Sequence, residues 1–111
     1  IGEGNIIYPG CHIAYGVTIG DGNFFETGVT IAHHTHIGNY NFFAPTATVC
    51  GNTAIDSNNF FGAHSTVIGS GNIGREVLVA ANAVVRNGED GHVYFPARGS
   101  VGQKRSSDIQ I

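Results

Sequence analysis

Ile31-Ala32-His33-His34-Thr35-His36 opens on a large apolar residue, and so does the next window of six, Ile37-Gly38-Asn39-Tyr40-Asn41-Phe42. Followed in both directions, the beat holds over residues 1–90. Ile1, Ile7, Ile13, Ile19, Phe25, Ile31, Ile37, Phe43, Val49, Ile55, Phe61, Val67, Ile73, Val79 and Val85 stand six apart, and each is Ile, Val or Phe. Four residues after most of them the side chain is small or narrow, as at Cys11, Val17, Val29, Thr35, Ala47, Thr53, Ser65 and Ala83. A period of six is neither the roughly 3.6 of a helix nor the 2 of a strand. It fits a short strand followed by a corner, repeated. Three units close a triangular coil of eighteen residues, with the large residue inside and the narrow one at the corner. This is the pattern of a parallel β-helix on hexapeptide repeats. The sequence therefore predicts an all-β solenoid of five coils, 1–18, 19–36, 37–54, 55–72 and 73–90, followed by a C-terminal cap or tail over 91–111.

The eighteen-residue superperiod stacks equivalent residues about one strand spacing, roughly 4.8 Å, apart. Asn5, Asn23, Asn41 and Asn59 then form an internal ladder that ends at Val77. Phe24, Phe42 and Phe60 form a second column at the last hexad position, which points outward. An outward phenylalanine column is a liability for a monomer, and a narrow solenoid buries little per coil. Both observations lead us to expect a homotrimer of parallel prisms with that column covered. The open edge at Ile1 leads us to expect further chain upstream.

Composition is that of one small folded domain, with 111 residues, 41% hydrophobic and 12% charged. No apolar run approaches the ~20 residues that span a bilayer, so no membrane partner is expected. A net charge of −3 argues against a nucleic-acid partner. The five basic residues, Arg75, Arg86, Arg98, Lys104 and Arg105, all lie toward the C-terminus. They leave open an anionic ligand there or an ordinary charged tail. Cys11 and Cys50 form no CxxC pair; two reduced, structural thiols suit the cytoplasm.

His33 holds the third, outward position of its hexad. Tyr15 stands one coil earlier and Gly51 one coil later at the same place. A glycine leaves the surface bare beside the imidazole, and its N–H is placed to meet a carbonyl oxygen as charge develops on it. Imidazole suits a general base near neutral pH. Base, open surface and donor make a minimal kit for acyl transfer to an amine or hydroxyl. The competing reading is a surface histidine at a solenoid corner. His12, His36 and His64 fall on other columns and read as surface or interface residues, so no metal site is expected.

The stretch Val29-Thr30-Ile31-Ala32-His33-His34-Thr35-His36-Ile37-Gly38, followed by Ala44-Pro45-Thr46-Ala47 and Gly51-Asn52, resembles the hexapeptide-repeat acyltransferases. The nearest branch is the bacterial sialic acid O-acetyltransferases and nucleotide-aminosugar N-acetyltransferases of polysaccharide biosynthesis. The resemblance implies a left-handed coil and an acetyl-CoA-dependent acetyltransferase acting on an amine or hydroxyl of a sugar. It implies that His33 is the general base, that the Gly51 N–H binds the acetyl carbonyl, and that the site lies between subunits of a homotrimer. It further implies substrate contacts from Tyr15 and Glu26. Acetyl-CoA, as co-substrate, would run past Phe42, Gly51, Asn52 and Ala81 toward Pro96-Ala97-Arg98, which matches the family's usual Pro-Ala-Lys/Arg segment. Four departures stand out. His34 occupies the place of the carboxylate that normally orients the base, leaving Glu26, a differently tuned base, or His34 itself as the base. Phe42 replaces a cofactor-side histidine, Glu26 a substrate-side amide, and Tyr94 the glycine before Pro-Ala. The branch's upstream nucleotide-sugar-binding domain is absent from this sequence.

Two other functions fit the fold. A β-helical zinc carbonic anhydrase would need two histidines five apart, and no pair among His12, His33, His34, His36, His64 and His92 has that spacing. A non-catalytic scaffold or binding module is favoured by the missing carboxylate. An ice-binding face would need paired threonine columns, whereas Thr30, Thr48 and Thr66 form a single one.

Overall fold

The computed structural model describes residues 1–110. Fifteen two-residue strands form three parallel sheets that wind as a solenoid of about five turns. The first sheet stacks Ile6–Ile7, Phe24–Phe25, Phe42–Phe43, Phe60–Phe61, Leu78–Val79 and Val93–Tyr94. The second stacks His12–Ile13, Thr30–Ile31, Thr48–Val49, Thr66–Val67 and Val84–Val85. The third stacks Thr18–Ile19, His36–Ile37, Ala54–Ile55 and Asn72–Ile73. Each strand except Val93–Tyr94 ends on the first residue of a hexad, and from Ile19 to Val85 that residue is buried. The rings of Phe25, Phe43 and Phe61 stack inside at centroid spacings of 4.9 and 4.7 Å.

The corners follow from one backbone choice. The fourth residue of each of the first fourteen hexads has positive φ: glycine at Gly4, Gly10, Gly16, Gly22 and Gly28, then nine non-glycine residues from His34 to Asn82, with φ between 55 and 64°. That conformation costs a non-glycine residue roughly 1–2 kcal/mol. It turns the N–H toward the preceding coil, where His34 donates to Tyr15 O at 3.2 Å and Asn52 to His33 O at 3.0 Å. Every turn is thereby tied to the one before it.

The corner from the third sheet to the first holds the asparagine ladder. Asn23, Asn41 and Asn59 are 1%, 1% and 3% exposed. The Asn41 amide nitrogen donates to Asn23 Oδ1 at 3.0 Å and to the Asp56 carbonyl at 2.8 Å. Val77 closes the ladder through its backbone, donating its N–H to Asn59 Oδ1 at 2.8 Å. Buried amides are thus satisfied without water, as buried polar groups must be.

The outer column on the first sheet also forms, extended at one end by Tyr8. Successive centroids of Tyr8, Phe24, Phe42 and Phe60 lie 5.2, 5.1 and 5.2 Å apart. At the C-terminal end the beat slips instead of stopping at residue 90. Gly88 bridges to Ile73 and Val93 pairs with Leu78, so the last coil is fifteen residues long. Asn87 Oδ1 accepts from the Asn72 N–H and Asp90 Oδ1 from the Arg75 N–H, each across fifteen residues. A coil strand at Val93–Tyr94 therefore lies beyond the expected boundary. Residues 95–110 are exposed and carry one short 3-10 turn, Ser106–Asp108.

Candidate active site

The corner from the second sheet to the third is built by residues 14–17, 32–35, 50–53 and 68–71. Its third hexad positions stack Tyr15, His33, Gly51 and Gly69; its fourth positions stack Gly16, His34, Asn52 and Ser70. His33 and His34 are both exposed. Their side chains leave the corner in opposite directions. The His33 ring lies over Gly51, where an added Cβ would come 2.7 Å from Nε2 and 2.8 Å from Cε1. The His34 ring lies over Gly16, where an added Cβ would come 2.6 Å from Cδ2. At both places an imidazole occupies the space a side chain would take, so an added Cβ would displace the ring.

The two rings stand at 81° with centroids 5.4 Å apart. Their Nδ1 atoms are hydrogen-bonded at 3.2 Å. Tyr15 stacks on His33 at 6.3 Å and 20° and meets His34 edge-on at 5.1 Å and 80°. The Gly51 carbonyl accepts from Ser70 N at 3.0 Å, while the Gly51 N–H donates to no group among the described residues. The corner thus presents an outward imidazole beside an unspent backbone donor. It can take up a proton and stabilise negative charge on an oxygen at neighbouring points.

Of the expected site residues, this corner brings together Tyr15, His33, His34, Gly51 and Asn52. Glu26 and Ala81 lie on the preceding corner, between the first and second sheets, and Phe42 lies on the outer face of the first sheet. Pro96, Ala97 and Arg98 lie exposed beyond the last strand. Glu26 is set apart from His33 and His34. Among the described residues it makes no hydrogen bond or ion pair with either histidine, and its backbone carbonyl accepts from Cys11 Sγ at 3.0 Å. One intervening strand sets it apart. Gly16 is not among the expected residues; what identifies it is its place one coil before His34 in the same column.

The remaining histidines follow their own columns. Thr18 Oγ1 is hydrogen-bonded to His36 Nδ1 at 2.6 Å, and Thr46 Oγ1 to His64 Nδ1 at 2.8 Å. Among the described residues no cluster of three or more His, Cys, Asp or Glu side chains is placed to hold a metal, and no helix is long and apolar enough to cross a membrane. A groove of about 550 Å³ runs over the third sheet, lined by His36, Ala54, Asp56, Asn72 and Gly88 among others, away from His33.

Residues 1–33 match the model of the bacterial transferase hexapeptide (six repeats) family. A comparison with curated protein sequences gives no match. Among solved structures, the acetyltransferase domain of PglB from Neisseria gonorrhoeae is similar with a TM-score of 0.83 and 24% identity, over 86% of this chain and 47% of that one. PerB from Caulobacter crescentus, in complex with CoA and GDP-perosamine, gives 0.67 and 23% over 83% and 51%. Serine acetyltransferase isoform 3 from Entamoeba histolytica, in complex with cysteine, gives 0.62 and 21% over 91% and 38%. The chain spans about half the length of the first two or less. Its residues 1–33 carry the bacterial transferase hexapeptide repeat, and its solenoid has the fold of these acetyltransferases.

Proposed function

We propose that the protein is an acetyl-CoA-dependent acetyltransferase whose acceptor is an amine or hydroxyl of a sugar, in the class of nucleotide-linked amino sugars and sialic acids. The observation that carries this reading is His33 lying over Gly51, whose N–H has no partner among the described residues. His33 Nε2 removes a proton from the acceptor as its nitrogen or oxygen attacks the thioester carbonyl carbon. Charge moves onto the carbonyl oxygen, where the Gly51 N–H donates to it. The intermediate collapses with loss of the CoA thiolate, which takes the proton from the His33 imidazolium. The products are an acetylated sugar and free CoA.

Two further features belong to this reading. The outer column of Phe24, Phe42 and Phe60 is the face on which copies of the chain assemble as a trimer. Assembly sets the first-sheet face and the tail with Pro96, Ala97 and Arg98 of one copy beside the histidine corner of the next. The cofactor residues Phe42, Ala81 and Pro96-Ala97-Arg98, remote from His33 within one chain, act there. The free cysteines Cys11 and Cys50 suit a cytoplasmic enzyme.

The test is release of free thiol from acetyl-CoA in the presence of nucleotide-linked amino sugars, sialic acid or amino acids. Acceptor-dependent release with a sugar, abolished in His33→Ala, is expected. Release with an amino acid alone would replace the acceptor class. No release with any acceptor, and no rise in melting temperature at millimolar acetyl-CoA, would leave a non-catalytic solenoid as the function.

A further inference from the structure

The chain has an imidazole where a carboxylate would orient a catalytic base, and the geometry gives that imidazole a defined task. A hydrogen bond between two imidazole nitrogens needs one proton between them, so one ring is the donor and the other the acceptor. His33 Nδ1 and His34 Nδ1 are 3.2 Å apart. If His33 accepts, its own proton sits on Nε2, the nitrogen over Gly51, and His33 is no base there. If His33 donates, Nε2 carries a free lone pair beside the unspent Gly51 N–H. Free histidine in water favours the first form.

We propose that His34 is a positioning residue that holds His33 as the Nδ1–H tautomer, so that Nε2 is the basic nitrogen. This rests on the reading of His33 as the base. Three contacts keep His34 in place for the task. Its N–H donates to Tyr15 O at 3.2 Å, its ring seats on Gly16, and the Tyr15 ring packs against its edge. When His33 gains a proton at Nε2, the Nδ1–H it already shares becomes a charge-assisted donor to His34 and stabilises the imidazolium. His34 must be neutral for this, because two protonated rings would oppose N–H to N–H. Tyr15 is the remaining titratable group against the pair.

The same backbone allows a clean set of variants. Position 34 has φ of 55°, a conformation that Gly16 holds one coil earlier and Glu76 holds at another corner. His34→Gly therefore removes the ring without strain, and His34→Glu supplies an anionic acceptor on a backbone that glutamate already adopts in this fold. The tautomer is read by two-bond proton–nitrogen correlation spectra of the His33 ring, recorded at mildly alkaline pH. Wild type is expected to show Nδ1–H, His34→Gly the Nε2–H form, and His34→Glu Nδ1–H again. In the acetyl-transfer assay His34→Gly should lose about 10- to 100-fold in kcat, part of the ~10²–10⁴ that a general base contributes. KM for acetyl-CoA should hold, and His34→Glu should recover most of the loss. Nε2–H in the wild type, or a tautomer unmoved by His34→Gly in a variant with unchanged far-UV circular dichroism, overturns the proposal. The spectra need no substrate, so the expected tautomers in a protein without acetyl transfer would uphold the pairing and sink the enzymatic reading alone.

Discussion

An alanine at position 51 would place its Cβ 2.7 Å from Nε2 of His33, a separation that real Cβ contacts do not tolerate. The ring must swing away, carrying Nε2 off the Gly51 N–H. Gly51 is not among the positive-φ glycines, so the backbone accepts alanine and the damage is confined to the site. Gly51→Ala is expected to lower kcat by at least about tenfold while unfolding stability changes by under ~1 kcal/mol. Steady-state kinetics and a urea titration on one preparation check both halves. His33→Ala should cost about 10²–10⁴ in rate and about 0.5 kcal/mol or less in stability, since the side chain is exposed. The columns of Tyr15, His33 and Gly51 were legible in the sequence because eighteen-residue stacking fixes which residues are neighbours. The divergence of His33 and His34 was not. Spacing gives a residue its place on a coil, while the direction of a ring depends on which neighbouring glycine leaves room for it.

Within the corners, buried amides do work that apolar side chains cannot. Asn41 gives two side-chain hydrogen bonds, to Asn23 Oδ1 and the Asp56 carbonyl, and accepts one from the Asn59 N–H at 3.1 Å. Asn41→Leu would leave the Asp56 carbonyl and the Asn59 N–H unpaired in a dry corner. At about 1–3 kcal/mol for each orphaned group, a loss of roughly 2–6 kcal/mol is expected, read as a fall in the urea midpoint at unchanged slope. Ladder and strand positions were both readable from the six-residue beat, because a buried repeat tolerates few residue types at each slot. The shortened last coil was not readable. It seats Gly88 where the beat calls for a large apolar residue, and backbone pairing to Ile73 with caps from Asn87 and Asp90 holds it there. A hydrophobic period cannot report a coil held by carboxamide and carboxylate oxygens.

At the scale of the whole molecule, the chain with its tail measures 51 × 28 × 22 Å, and the solenoid has one aromatic side. Phe60 is 42% exposed in the single chain, and Leu78 and Val93 continue the same apolar strip. Covering that strip is what the trimer is expected to achieve. Sedimentation equilibrium should give three times the 11.6 kDa chain mass, and Phe60→Glu should give a monomer with impaired acetyl transfer; an active monomer would refute an inter-subunit site. At its C-terminal end the stack finishes on a coil of fifteen residues. An eighteen-residue coil laid on a fifteen-residue one cannot keep step around the whole perimeter, so this end is a poor template for strand addition by another molecule.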